Sequence, residues 1–198
     1  MKKLLTILLA LPLCFAGCTD EEDRVLTQHE TIERYLNSTR RFVAIENISS
    51  VIENNPAFYE TFGRYAYRHI VNYYEAGRED RALVEWGNDV QLRFNAFVFS
   101  GSEPSVSSSL YWSNVPSIIS SMGAQTGEAL VWSSEPLSVR LGTTGVIKGL
   151  ELTLPGCRER DSVQVYMTSS LAYGKAIMGS VPKNSMVAWY MKIEKVIK

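Results

Sequence analysis

Three short stretches near the C-terminal end hold the residues whose types and spacing suit chemistry. They are Val146-Ile147-Lys148-Gly149-Leu150, Leu171-Ala172-Tyr173-Gly174, and the alternating run from Val187 to Ile197. None of them carries an activated nucleophile. Tyr173 places a phenol hydroxyl at a turn before a glycine, and an aromatic ring with a polar tip on a loop suits binding. Elsewhere, His29 and His69 stand far apart, and no Cys/His spacing suits zinc. Ser180-Val181-Pro182-Lys183 spells S-x-x-K without the companion motifs of the acyl-transfer enzymes that use it. No GxxxxGK[ST] or GxGxxG phosphate loop occurs. A hydrolase or a nucleotide enzyme is therefore disfavoured, and neither a metal nor a cofactor is expected.

The chain has 198 residues, 45% of them hydrophobic and 21% charged, with a formal net charge of −1. That length suits one sizeable domain with a small extension. The balanced charge gives no field for nucleic acid, which is not expected as a partner. Lys2 and Lys3 precede an apolar run, Leu4 to Phe15, that is too short to span a bilayer. Ala16-Gly17-Cys18 follows, and small residues before a cysteine resemble the lipobox of bacterial lipoproteins. Residues 1–17 are expected to be a lipoprotein signal peptide, with Cys18 as the lipid attachment site and the membrane as a partner; an ordinary secretory signal is the other reading. The acidic run after Cys18 makes 18–26 a solvated tether. It also resembles the acidic tag of surface-exported lipoproteins of Bacteroidetes. The expected location is the outer membrane, facing the periplasm or the cell surface. Loss of Cys14 with the signal leaves Cys157 alone, so no disulfide framework is expected. A lone thiol beside an apolar run reads as packed core.

The elements that must position the three stretches follow from patterning. Thr27-Gln28-His29-Glu30 has the form of a capping box, and Ile32, Tyr35 and Leu36 repeat at helical spacing. These predict a helix over 28–38. Asn55-Pro56 reads as a second helix start, so 27–64 is expected to be a helical lead-in that packs on the main domain. From Tyr65 the period changes to two. Strands are predicted around Tyr67–Tyr73, Val90–Phe94, Leu137–Leu141, Ser162–Met167 and Val187–Ile193, with resumed sheet at 129–134. Lys148 to Leu154 is the expected domain helix, burying Leu150 and Leu154 at i, i+4. Residues 100–128 are rich in Ser but carry Leu110-Tyr111-Trp112 and Val115 to Ile119, so they read as a partly ordered insertion.

In order and spacing, VIKGL, LAYG and the closing strand resemble the FKBP-type (immunophilin) peptidyl-prolyl isomerases. The stretch Asn88-Asp89-Val90-Gln91-Leu92-Arg93-Phe94 resembles the family's G-D-x-V-x-V-x-Y step, and Pro136-Leu137-Ser138-Val139-Arg140-Leu141-Gly142 its Pro-Phe-x-Phe-x-Leu-Gly step. The resemblance covers about 65–99 and 129–198. It implies an α+β fold, a twisted antiparallel sheet curled over one short helix, as a domain at 65–198 with the insertion at 100–128. It implies proline-containing polypeptide segments as partners. By motif position, the implied catalytic groups are the Tyr173 hydroxyl and the Ile147 backbone N–H. The implied pocket is Phe94, Leu137, Val146, Leu150, Ala172, Val181 and Trp189. Leu150 stands where the family has a tryptophan floor, Phe94 where it has tyrosine and Leu137 where it has phenylalanine. The loop acid has no counterpart, Glu135 being the nearest. Trp112 or Ile118 of the insertion is placed to fill the pocket. Two functions follow: an isomerase or folding helper for exported proteins, or a catalytically silent FKBP-fold binding or assembly lipoprotein of the cell envelope.

Overall fold

The computed structural model describes residues 16–39, 41–43, 57–122, 126–127, 130–143 and 145–198. In chain order the elements are α1 (Ala16–Thr39), β1 (Arg41–Val43), β2 (Phe58–Phe62), β3 (Ala66–Ile70), β4 (Asp89–Phe99), β5 (Leu110–Ser113), α2 (Pro116–Met122), β6 (Thr126–Gly127), β7 (Leu130–Val131), β8 (Leu137–Arg140), α3 (Lys148–Thr153), β9 (Ser162–Met167) and β10 (Met186–Ile197). The main sheet runs β1-β2-β3-β9-β10-β4-β5, with β8 also paired to β4. Every pairing is antiparallel except β1 with β2. The chain is therefore α+β, with a mostly antiparallel sheet packed against short helix α3, as expected.

Alternation along β10 builds two cores. Val187, Trp189, Met191 and Ile193 face one side, with Leu92, Phe94, Val163 and Val165 and with Leu150 and Leu154 at α3. Ala188 and Tyr190 face the other side with Tyr67, Phe97, Phe99 and Tyr166. That second face is covered by α1, whose Ile32 and Leu36 are fully buried. Burying two such side chains is worth about 1.5–3 kcal/mol each. Tyrosines suit this layer because their hydroxyls find partners among themselves: Tyr166 and Tyr190 share a bond of 2.5 Å.

The N-terminal half differs from its sequence reading. Helix α1 begins at Ala16 in the described chain, so 18–26 is helical. Thr27 is no N-cap; its Oγ1 donates back to the Asp23 carbonyl at 2.9 Å, the i−4 bond of an interior threonine. The run at 58–62 is strand β2, not part of a second helix. Phe58 and Tyr59 are both buried, as in a strand covered on both faces. The sheet unit thus begins ahead of residue 65. Most of the signal segment and residues 44–56 lie outside the described residues.

Two buried charge networks tie the layers. Arg68 on β3 bonds Glu60 on β2 and donates to the carbonyls of Thr153 and of Pro155, the latter at 2.6 Å. It thereby satisfies acceptors left open at the end of α3. Arg78 meets Asp161 through two parallel bonds of 2.9 and 2.7 Å. Cys157 is fully buried beside Arg68, and burial pushes its thiol up to about 11. It is a protonated core residue, as its isolation suggested.

Candidate functional site

A cavity of about 810 Å³ opens between the start of α3, the 170–174 turn and β10. Of the residues singled out from sequence, Leu137, Val146, Ile147, Leu150, Ala172, Tyr173 and Trp189 line it. Phe94 and Val181 do not. Phe94 is buried beneath Trp189, their rings stacked at 4.5 Å, so it supports the wall from behind. Val181 is fully buried, and its backbone exchanges two hydrogen bonds with Met178. Met178, presented by that tight turn, lines the cavity in its place. Glu135 is exposed and outside the lining; Glu151, at the rim, is the carboxylate among the lining residues.

Local structure explains how the donors meet. Ile147 holds the N-cap position of α3 with extended φ −63° and ψ 145°. No described residue accepts a bond from its N–H. Helix α3 approaches β9 closely because Gly149 has no side chain. A Cβ there would lie 2.3 Å from Met167 Sδ and 3.3 Å from the Leu171 carbonyl oxygen. This close approach brings Ile147 beside the turn that carries Tyr173. The turn is pinned from the other layer: Gln28 Oε1 on α1 accepts from the Ser169 N–H and hydroxyl at 2.8 and 2.9 Å. Gln28 Nε2 donates to the Asn184 carbonyl at 2.7 Å, and the Asn184 N–H donates to the Gly174 carbonyl at 2.6 Å.

Among the described residues of 100–128, β5 is sheet and builds a wall of the cavity rather than plugging it. β5 pairs with β4 at Asn95↔Ser113, Ala96↔Trp112 and Phe97↔Leu110, so Tyr111 is an extra residue in the ladder. Such a bulge re-aims side chains. Tyr111 and Trp112, which an unbroken strand would send to opposite faces, both reach Trp189: Trp189 Nε1 donates to the Tyr111 hydroxyl at 2.9 Å, and the two indoles meet edge-on at 5.6 Å. Trp112 lines the cavity and Ile118 does not. Where β4 passes from β8 to β5, the Asn114 side chain stands in for a strand, accepting from the Phe94 N–H at 2.7 Å and donating to the Leu92 carbonyl at 2.8 Å. Residues 130–131 pair only with 126–127 in a separate ribbon, so they do not resume the main sheet as expected. Tyr111, Leu130 and Met178 went unnoticed as site residues. The usable signal was the aromatic cluster Leu110-Tyr111-Trp112 inside a Ser-rich stretch.

Two phenols mark the polar side of the cup. Tyr111 and Tyr173 share a bond of 3.2 Å. Burial pushes both hydroxyls above the ordinary phenol range, so both keep their protons at neutral pH. The arrangement is an apolar, aromatic-walled cup whose lining carries the Ile147 backbone N–H and the Tyr173 hydroxyl. It can hold and orient an uncharged chain segment without a nucleophile.

Residues 122–194 match the family described as FKBP-type peptidyl-prolyl cis-trans isomerase, which is the family the sequence motifs resemble. The chain is also similar in fold to a solved structure, FkpA from Escherichia coli, with a TM-score of 0.52 and 17% identity. The match covers 90% of this chain, which spans 62% of the FkpA chain. No curated protein sequence matches.

Proposed function

We propose that the protein is an FKBP-type peptidyl-prolyl isomerase or folding helper for exported proteins, held at the outer membrane by a lipid on Cys18. The observation that carries the isomerase reading is the open cup with the Ile147 N–H and the Tyr173 hydroxyl at its edge. Rotation about an X–Pro bond faces a barrier of about 18–20 kcal/mol because twisting destroys amide resonance. The twisted bond has lost charge separation, so an apolar cup favours it over the planar form. Trp112, Trp189, Leu137 and Leu150 supply that surroundings. A donor at the edge holds a substrate carbonyl in place, a mild form of electrostatic preorganisation. No covalent step is required of the protein.

A protease-coupled assay on a proline peptide tests the reading; no acceleration over the uncatalysed rate at high protein concentration would remove it. With activity present, Tyr173→Phe is expected to lower kcat/KM about three- to tenfold, the loss of one hydrogen bond. An unchanged rate would contradict the assignment of Tyr173. The second reading, a catalytically silent binding or assembly module, is favoured by Leu150 on the cup's lining where the family has tryptophan. It predicts peptide binding without acceleration.

The anchor rests on the n-region, the apolar run and Ala16-Gly17-Cys18. No helix of the described residues is long and apolar enough to cross a membrane. Cys18→Ala is expected to release the protein from the membrane fraction of producing cells. A variant that stays in that fraction would refute lipid attachment.

A further inference from the structure

We propose that Tyr111 is a positioning residue that turns the Tyr173 hydroxyl outward, as a donor to a bound carbonyl. The role rests on the isomerase reading above. It follows from which groups can donate. An indole N–H only donates, so in the 2.9 Å bond between Trp189 and Tyr111 the phenol oxygen accepts. Tyr111 is buried, 4% exposed, and among the described residues its hydroxyl has one further polar partner, the Tyr173 hydroxyl at 3.2 Å.

Two directions are open to that second bond. If Tyr173 donated, the Tyr111 proton would be left buried without an acceptor, the costly outcome for a polar group inside a protein. If Tyr111 donates, the Trp189 and Tyr111 protons both have acceptors. Tyr173 then accepts, and its own proton remains for the cavity that Tyr173 lines. The chain of donation runs from Trp189 through Tyr111 to Tyr173 and on to the substrate. Each bond polarises the next, which strengthens the terminal donor. The bulge at Tyr111 makes this possible, because it brings a residue of β5 to the face where Trp189 stands.

The Tyr111→Phe variant keeps the ring that meets Tyr173 edge-on at 6.0 Å and removes only the hydroxyl. We expect kcat/KM for a proline peptide to fall about two- to fivefold. In a Tyr173→Phe background the same change is expected to have no further effect, since Tyr111 acts only through Tyr173. A merely structural contribution would multiply onto the first loss, and that result, or a Tyr111→Phe variant with the wild-type rate, overturns the proposal. A second measurement needs no substrate: the Trp189 indole N–H resonance should move upfield in Tyr111→Phe and shift much less in Tyr173→Phe. An unmoved resonance in Tyr111→Phe overturns the chain of bonds whatever the activity. A wild-type protein with no activity overturns the isomerase reading together with this role, whereas an active protein with multiplying losses overturns the role alone.

Discussion

Replacing Arg68 with methionine is expected to lower the unfolding free energy by about 3–5 kcal/mol. For a chain of this size that is roughly 6–20 °C in Tm. Arg68 and Glu60 are both about 5% exposed. Methionine fills much of the arginine stem's volume, but Glu60 is left buried without its cation. The carbonyls of Thr153 and Pro155 lose their donor at the end of α3. Removing one member of a buried pair costs more than the pair contributes, because the survivor stays desolvated and unpaired. Adding Glu60→Gln to Arg68→Met should therefore recover part of the loss. Urea and thermal unfolding of the two variants decide it. A single variant within 1 kcal/mol of wild type would show that the network is solvated. Since Ile147 caps the other end of α3, Arg68→Met should, on the function proposed above, also weaken peptide binding.

The companion result concerns Asp161→Ala, also expected to lose about 3–5 kcal/mol. Asp161 is fully buried. Its two oxygens accept from Arg78 Nε and Nη2, and one of them also accepts from the Arg158 N–H at 2.8 Å. Paired bonds of this geometry are the strong kind for a guanidinium. Alanine strands the Arg78 guanidinium, which packs over the Tyr73 ring at 4.8 Å, with an exposed Glu79 as its remaining ion-pair partner. Neither Arg78 nor Asp161 lines the cavity, so any activity per folded molecule should stay near wild type at temperatures well below Tm. A stability loss under 1 kcal/mol in urea unfolding would contradict the assignment.

Much of the C-terminal half was legible because periodicity and motif agree there. Alternation in Val187–Ile193 gave the core face, and Leu150 and Leu154 gave the buried side of α3. VIKGL and LAYG placed Ile147 and Tyr173 on one cavity. What failed did so for physical reasons. Phe94 and Val181 are apolar at family pocket positions, but side-chain type does not tell a wall from the layer behind it. Thr27 and Glu30 carry a capping pattern whose meaning depends on whether a helix is already running, and α1 was running from Ala16. Residues 58–62 read as part of the helical lead-in because a strand that buries neighbours such as Phe58 and Tyr59 does not alternate. The bulge at Tyr111 is a register event between two strands, and no local pattern announces which residue a ladder will skip.

The place of β10 has a consequence for the order of assembly. It is the last element of the chain and lies mid-sheet, between β9 and β4. Without it, the pairings of the main sheet fall into two sets, β1-β2-β3-β9 and β4 with β5 and β8, that share no ladder. A ribosome delivers the N-terminal segments first, yet α1 waits for partners about 140 residues away, as the separation of Gln28 from Ser169 shows. The chain therefore cannot close as it emerges. The two sets of strands join only when β10 is available to pair with both.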